Sequence, residues 1–181
     1  PWVQTETEAY EISTRTMNAR SESITRKPSF RQSVKSNRCI IPITGFFEWQ
    51  QIGSKRIPWL ISMADEDLFS LAGLWSEWIN PVTGEASQTF TIITVEANEL
   101  MAKIHNTKKR MPAILKNEDE KKWLDSNLKT DTFDSLLKPF DSKLLKAYTV
   151  SSLVSQANKN RNIPEVLDHF NYSSTSQGKL F

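Results

Sequence analysis

Between residues 38 and 96 the chain carries four runs rich in β-branched and aromatic residues, separated by short turn-like segments. The runs are "RCIIPITGFFEWQ", "RIPWLISM", "LFSLAGLWSEWI" and "SQTFTIITVE". Such residues favour β-strands, and strands joined by connections too short for a crossover helix pair in the antiparallel sense. The pattern therefore predicts an α+β fold built on a mostly antiparallel, barrel-like sheet with a few short helices.

Shorter segments around these runs predict the helices. "SFRQSVKSN" is predicted to be a short helix with Ser29 as its N-cap. "NEDEKKWLDSNL" is predicted to begin with Asn117 as N-cap and Glu120 completing a capping box. "ANELMAKIH" and "TDTFDSLLKPF" predict two further helices, and "LLKAYTVSS" predicts a late strand.

Length and composition indicate one globular domain. With 181 residues, of which 38% are hydrophobic and 24% charged, the chain is long enough for one sizeable core. No linker interrupts residues 1–165, so these are predicted to form a single domain. Residues 166–181 are predicted to form a polar, irregular tail, with disorder at its last residues.

Composition also excludes several classes of protein. The formal net charge of +2 argues against a protein that is basic over its whole surface. One cysteine, Cys39, permits no internal disulfide, and the chain shows neither a membrane-length apolar run nor a signal-peptide pattern, so a cytoplasmic protein is predicted. With two histidines and one cysteine, we expect no metal site, and no cofactor is predicted.

Glu48 is the most unusual polar residue in the four strand-like runs, because it lies between Phe47 and Trp49. Side chains alternate between the two faces of a strand, so Glu48 is predicted to point away from both aromatic residues. A carboxylate in this position is either a solvated or ion-paired surface group or an acid in a partly dry cleft. In the second case burial would raise its pKa toward values useful in acid–base chemistry.

Two other stretches carry candidate functional residues. In "MNARSES", Asn18, Arg20 and Glu22 alternate and would point the same way on a strand. In "IHNTKKRMP", His105 ends a helical pattern and is followed by a cluster of basic residues. Each has an ordinary structural interpretation, as a solvated strand face, a capping histidine or a wet loop. The residues alone leave these alternatives open.

In combination, "NARSE", "RCIIPITGFFEW" and "IHNTKKRMPAIL", in this order, resemble the SOS-response-associated peptidase (SRAP) family over roughly residues 1–164. The resemblance implies a pseudo-barrel fold and an enzyme of the DNA damage response. It implies binding to abasic sites in single-stranded DNA, covalent DNA–protein crosslinking through an N-terminal cysteine, and self-removal of the initiator methionine. No membrane or metal partner is implied.

The resemblance also implies roles for individual residues. Asn18 matches the asparagine that lies over the cysteine and the ring-opened sugar, Glu48 the acid that manages proton transfer, and His105 the histidine flanking that site. Arg20 and Arg110 match positions that hold DNA phosphates, and Trp49 lines the DNA groove. The longer spacing between His105 and Arg110 weakens the match of Arg110.

The chain begins with Pro1 and Trp2 where the family has a cysteine several tens of residues upstream of Asn18. We therefore expect this chain to lack the N-terminal segment of its family and to be inactive in crosslinking. A non-catalytic single-stranded DNA-binding module is the alternative function. A thiol peptidase using Cys39 is a weaker one, because Cys39 lies in a strand-like run and not beside a base.

Overall fold

The computed structural model of the chain describes residues 3–172, which form two compact units. The first unit contains the described residues up to Ile43 together with Phe69–Glu96 and Met111–Phe140. The second contains Thr44–Leu68, Ala97–Arg110 and the described residues from Asp141 onward. The extent of a single domain over residues 1–165 stays a prediction.

The described residues contain nine strands and five α-helices, each numbered in chain order. The strands are β1 (Asn18–Arg20), β2 (Arg38–Ile43), β3 (Phe46–Ile52), β4 (Lys55–Met63), β5 (Phe69–Ile79), β6 (Ala86–Glu96), β7 (Arg110–Pro112), β8 (Ile114–Leu115) and β9 (Leu145–Thr149). The helices are α1 (Glu6–Arg15), α2 (Ser33–Ser36), α3 (Glu99–Ile104), α4 (Asn117–Leu124) and α5 (Phe133–Leu136). This confirms the predicted α+β class with mostly antiparallel strands and short helices.

The first unit is built on a six-stranded sheet with the order β1-β6-β5-β2, to which β7 and β8 add at β6 and β5. β5 pairs antiparallel with β2, β6 and β8, whereas β1 pairs parallel with β6. The central strands supply most of the core, because Leu71, Leu74 and Ile93 are almost completely buried. Burial of such side chains is the main source of stability for this sheet.

Arg38 is the buried charge of the first unit. Its guanidinium donates to the backbone carbonyls of Trp123 and Val34, both at 2.7 Å, and of Lys35 at 2.9 Å, and also contacts the Asp125 carbonyl. Burial lowers the pKa of Arg38, while the Asp125 carboxylate opposes that shift. The guanidinium thus fastens the ends of α2 and α4 to β2, which offsets the cost of burying it.

The second unit is built on a three-stranded antiparallel sheet with the order β3-β4-β9. β3 and β4 form a hairpin whose turn contains Gly53 at φ 58°, a left-handed conformation that glycine adopts without strain. Gly45 precedes β3, and a Cβ there would lie 2.9 Å from the Ile61 carbonyl oxygen. Gly53 thus permits the tight turn after β3, and Gly45 permits the close approach of the chain before β3 to the Ile61 carbonyl.

Several helix predictions need correction. α1 was not predicted; Thr5 caps it by accepting a hydrogen bond from the Glu8 N–H. The helix expected from Ser29 starts only after Gln32, because residues 23–31 form a series of turns. Asn117 is the first residue of α4 and not its N-cap, which is Lys116.

The first strand is also shorter than the "MNARSES" pattern predicts. β1 ends at Arg20, and Glu22 lies in a 3-10 turn over Ser21–Ser23. Glu22 therefore does not continue the alternation of Asn18 and Arg20, and the prediction for this residue was wrong. The hydrogen bond from Ser23 Oγ to the Arg20 carbonyl is one of the contacts that close this turn.

The predicted irregular tail is partly structured. Pro164–Leu167 forms a 3-10 turn, and His169 makes a bridge with Val150. The Tyr148 hydroxyl donates to the Leu167 carbonyl at 3.0 Å. The remaining part of the predicted tail, residues 173–181, lies outside the described residues, as do Pro1 and Trp2. Within the described range, no helix has the length and apolarity needed to span a membrane.

Candidate active site

The two faces of β3 carry different chemistry. Glu48 lies against His105, and the Gln50 side-chain amide donates to the Lys103 carbonyl at the end of α3. Trp49 instead donates from Nε1 to Ser155 Oγ at 2.9 Å. The predicted alternation is confirmed: Glu48 and Gln50 face α3, whereas Trp49 faces the segment after β9.

His105 is held at the C-terminal end of α3, where its backbone N–H donates to the Met101 carbonyl at 2.7 Å. Its side-chain Nδ1 lies 3.4 Å from Glu48 Oε1 and 3.0 Å from the Arg110 carbonyl oxygen. The side chains of His105 and Glu48 are only 18% and 21% exposed. Two ionisable groups are thus brought together in a largely desolvated position.

The contact with Arg110 determines which nitrogen of neutral His105 carries the proton. A carbonyl oxygen only accepts hydrogen bonds, so Nδ1 must donate to it. Glu48 Oε1 lies 3.4 Å from the same nitrogen, and the interaction between the two side chains is electrostatic. The Nε2 atom of neutral His105 then carries the lone pair and is the atom able to accept a proton.

The pKa of the Glu48 carboxyl is raised above its usual range, mainly because burial disfavours the charged form. Interactions with His105, with the Trp49 backbone N–H and with the charges of Arg56 and Lys108 act in the opposite direction and only partly compensate. Glu48 therefore retains its proton to higher pH than an exposed glutamate. A carboxyl group of this kind is suited to donate a proton in catalysis.

Asn106 and Gln50, which the sequence analysis does not identify as functional, hold the segment around His105 against β3 through hydrogen bonds. The Asn106 side chain accepts from the Gln51 N–H at 3.0 Å and donates to the Gln51 carbonyl at 2.9 Å. Gln50 makes the second connection through Lys103 and is itself oriented by the Trp59 indole N–H at 3.2 Å. No residue pattern signals these contacts, because they depend on which edge of β3 is open.

The loop after His105 contains a backbone conformation that is rare for non-glycine residues. Lys109 has φ 50°, and its N–H donates to the His105 carbonyl at 2.8 Å while its carbonyl accepts from the Ala97 N–H at 3.0 Å. The left-handed turn at Lys109 directs the chain so that the Arg110 carbonyl reaches the His105 ring. Strained positions of this kind often accompany functional sites.

Trp49 lies on the wall of a shallow cavity of about 600 Å³ in the second unit. The indole is partly exposed, and the guanidinium of Arg56 lies 5.8 Å from its ring centroid. Two of the residues that line this cavity, Lys159 and Arg161, are exposed and basic. The full lining consists of Phe47, Trp49, Val154, Lys159, Asn160, Arg161, Asn162 and Val166. An aromatic surface edged by cations is suited to a base and its phosphate.

The other predicted site residues divide between the units. Asn18 and Arg20 are exposed on β1 in the first unit, with Ile92 and Thr94 of β6 as their strand partners. Arg110 is partly buried in the second unit and contacts His105 through its backbone carbonyl. The structure thus brings Glu48, His105 and the Arg110 backbone together within one unit.

Cys39 is a poor candidate for a nucleophile. It is half-buried in β2, and burial raises the pKa of its thiol, which disfavours the reactive thiolate. Its sulfur packs against Gly73, where an added Cβ would approach Sγ to 3.0 Å. Among residues 3–172, no group of three or more histidine, cysteine, aspartate or glutamate side chains is arranged to hold a metal ion.

Comparison with known proteins identifies relatives along most of the chain. The family model for SOS response associated peptidase (SRAP) matches residues 1–157. The abasic site processing protein YoqW of Bacillus subtilis is 42% identical over 170 residues, which cover 93% of this chain and 71% of the relative. The abasic site processing protein HMCES of Xenopus tropicalis is 32% identical over 84% of this chain and 50% of its own length.

Solved structures agree with these relationships. A crystal structure of a protein from Bacteroides thetaiotaomicron superimposes with a TM-score of 0.90 at 44% identity, covering 94% of this chain and 72% of the other. A protein from Bordetella bronchiseptica superimposes with a TM-score of 0.74 at 28% identity, covering 83% and 72%. The family match and these similarities together show that the chain belongs to the SOS response associated peptidase (SRAP) family.

Proposed function

We propose that this protein recognises abasic sites in single-stranded DNA and opens the abasic sugar by proton transfer through Glu48 and His105. The observation that carries the proposal is the desolvated pair itself, with Nδ1 of His105 3.4 Å from Oε1 of Glu48. Support also comes from the relatives named as abasic site processing proteins, which are up to 43% identical to this chain.

The chemistry requires both a proton donor and a proton acceptor. An abasic sugar is a cyclic hemiacetal, in which the anomeric carbon bears a hydroxyl group and the ring oxygen. Removing the hydroxyl proton forms the aldehyde C=O bond while the bond from the anomeric carbon to the ring oxygen breaks. The departing ring oxygen takes up a proton and becomes a hydroxyl group, so that protons balance without any external oxidant or reductant.

In our proposal Glu48 and His105 divide these tasks. Glu48, whose pKa is raised by burial, donates in its protonated form to the ring oxygen. Neutral His105 accepts the hydroxyl proton at Nε2, since Nδ1 is occupied by the Arg110 carbonyl. After the transfer the pair consists of a carboxylate and an imidazolium in contact, which stabilise each other in their low-dielectric surroundings.

The free aldehyde is the species that a nucleophile can trap. In a full-length protein with an N-terminal cysteine, the α-amine would condense with the aldehyde to an imine, with release of water. The thiolate would then add to the imine carbon, the nitrogen would take up a proton, and a thiazolidine would link protein and DNA. We propose that Asn18 orients these groups and assists their capture.

DNA binding is proposed to use the remaining candidates. Arg20 and Arg110 would hold phosphates through charge-assisted hydrogen bonds, and Trp49 would stack on a base. The cavity beside Trp49 supports that role, because Lys159 and Arg161 line it and are exposed. A protein that contacts phosphates and the gap left by a missing base needs few contacts to base edges.

A denaturing gel tests the catalytic part of the proposal. The protein expressed from the full-length reading frame is incubated with single-stranded DNA carrying one abasic site. The rate at which a covalent DNA–protein species appears is measured. Glu48→Gln and His105→Ala are each expected to slow capture by about 10²- to 10⁴-fold, the usual contribution of general acid–base catalysis. Glu77→Gln is the matched control, since Glu77 is an exposed glutamate on β5. Equal rates for wild type and Glu48→Gln would overturn the proposed role.

A further inference from the structure

We propose that Asn106 is a positioning residue, whose side-chain amide takes the place of a neighbouring strand at the open edge of β3 and so holds His105 beside Glu48. The placement of His105 by Asn106 is a property of the folded protein alone and does not require DNA. Its catalytic meaning rests on the proposed function described above.

The edge of β3 provides the binding partner for Asn106. In the described part of the chain, β3 is the outer strand of the sheet β3-β4-β9 and pairs only with β4. On alternate residues of such a strand the N–H and C=O groups point away from the partner strand. Gln51 is one of these residues, because both of its backbone groups are bonded to Asn106.

Asn106 matches this edge as a peptide group would. An asparagine side chain carries a carbonyl oxygen and an NH₂ group side by side, so it can accept and donate at once. Its oxygen accepts from the Gln51 N–H at 3.0 Å, and its nitrogen donates to the Gln51 carbonyl at 2.9 Å. This two-bond contact fixes both the position and the orientation of the residue that follows His105.

A second connection holds the other side of His105. The Gln50 amide donates to the Lys103 carbonyl at 3.1 Å, two residues before His105. The Trp59 indole donates to Gln50 Oε1 and sets the direction of that amide. Residues 103 and 106 are therefore both tied to consecutive residues of β3, and His105 between them is placed against Glu48.

Asn106 matters more than its position on an exposed loop suggests. The ring of His105 can satisfy the Arg110 carbonyl and approach Glu48 only while the loop follows its present path. If the loop left the edge of β3, Nδ1 would lose its hydrogen-bond acceptor, the Arg110 carbonyl, and the ring would exchange between its two neutral tautomers. Of the charged side chains that act on Glu48, only Arg56 on β4 would keep its place, because Lys108 belongs to the same loop as His105.

The first test is the tautomer of His105, read from the ¹⁵N chemical shifts of its two ring nitrogens. The chain has two histidines, so a His169→Gln background leaves a single imidazole to observe. Wild type is expected to show Nδ1 protonated and Nε2 unprotonated in the neutral ring. Asn106→Ala is expected to move both shifts toward averaged values.

Asn80→Ala is the control for this experiment. Asn80 also caps a loop with two side-chain contacts, to the N–H groups of Val82 and Thr83, and lies in the first unit. Its removal should leave the His105 shifts unchanged. Wild-type ring shifts in Asn106→Ala would overturn the proposal, and so would an equal change in both variants.

A second measurement needs no variant and applies even if Asn106→Ala fails to fold. The Gln51 amide should exchange with solvent at least about tenfold more slowly than an unstructured amide, because Asn106 is its acceptor. Exchange at the unstructured rate would overturn the proposal. Neither measurement contains DNA, so a confirmed role for Asn106 together with no recognition of abasic sites would reject only the proposed function.

Discussion

Nδ1 of His105 lies 3.4 Å from Oε1 of Glu48, and the two side chains come from different elements of one unit, the end of α3 and the middle of β3. The interaction of such a pair depends on the distance between the two groups and is stronger in desolvated surroundings than in water. The surrounding contacts through Gln50 and Asn106 restrict changes in this distance. The geometry of the pair is therefore maintained by residues outside it.

The stability of the protein should depend on pH through Glu48. The folded pKa of Glu48 is raised above its ordinary value of 4.5, so its contribution to stability is fully present below that pH. The contribution is lost as the pH rises through the folded pKa. Glu48→Gln has no such titration, and its free energy of unfolding, relative to wild type, should increase as the pH rises above 4.5.

Urea denaturation at a series of pH values measures this difference. The comparison is repeated in a His105→Gln background, so that the imidazole next to Glu48 does not contribute. A free-energy difference that stays constant over the whole pH range, or that falls as the pH rises, would show that the pKa of Glu48 is not raised.

Because the backbone at Lys109 is left-handed, two substitutions there should have different effects on the free energy of unfolding. At φ 50°, glycine has no steric penalty, whereas a β-branched residue is strongly disfavoured. Lys109→Gly should leave the free energy of unfolding unchanged or raise it slightly, and Lys109→Val should lower it by about 1–2 kcal/mol. Thermal unfolding of both variants beside Lys108→Val, the adjacent exposed lysine, checks the prediction. Equal effects of valine at the two positions would contradict it.

Arg38 should be essential for the stability of the first unit. Lysine cannot reproduce a guanidinium that donates to the carbonyls of Trp123, Val34 and Lys35 at the same time. Arg38→Lys should lower the free energy of unfolding by about 2–4 kcal/mol through unsatisfied buried carbonyls. Arg31→Lys, at an exposed position, serves as the control in the same denaturation series. A loss in Arg38→Lys no larger than in this control would contradict the account.

Trp49 should contribute to DNA affinity without affecting the proton-transfer chemistry directly, because it lies on the face of β3 opposite Glu48. Trp49→Ala should weaken binding to single-stranded DNA by about 1–3 kcal/mol, the usual loss of one stacking contact. Fluorescence anisotropy with a labelled oligonucleotide measures the change, and Tyr10→Ala, an exposed aromatic on α1, is the control. Unchanged affinity in Trp49→Ala would show that Trp49 does not contribute to DNA binding.

Arg20 should act through charge. If it holds a phosphate, Arg20→Ala weakens DNA binding to all sequences alike and reduces the slope of log affinity against log salt by about one unit. Arg26→Ala tests whether any exposed arginine of this segment has the same effect. An unchanged salt slope in Arg20→Ala would indicate that Arg20 does not contact phosphate.

Much of the fold follows from local sequence patterns. β2, β3, β4, β5 and β6 all coincide with runs of β-branched and aromatic residues, and the alternation in β3 correctly directs Glu48 away from Trp49. α1 was missed because it has no buried residue and therefore no strong apolar periodicity. Thr5 and Glu8, spaced as in a capping box, are the signal that marks its beginning.

The candidate site is harder to predict because much of it is made by backbone groups. The sequence points to the side chain of Arg110, yet the contact with His105 is made by the Arg110 carbonyl, which any residue would supply. Asn106 is informative only once β3 is known to be an edge strand. Such contacts depend on the tertiary structure and cannot be recognised from residue type or spacing.

Recognition of abasic sites is tested by comparing two single-stranded oligonucleotides of identical sequence, one of which contains a single abasic site. Competition between them for the 181-residue chain is measured by fluorescence anisotropy at fixed salt. The abasic strand is expected to bind several-fold more tightly, and this preference should decrease in Asn18→Ala. Equal affinity for the two strands would contradict the claim that the protein recognises abasic sites.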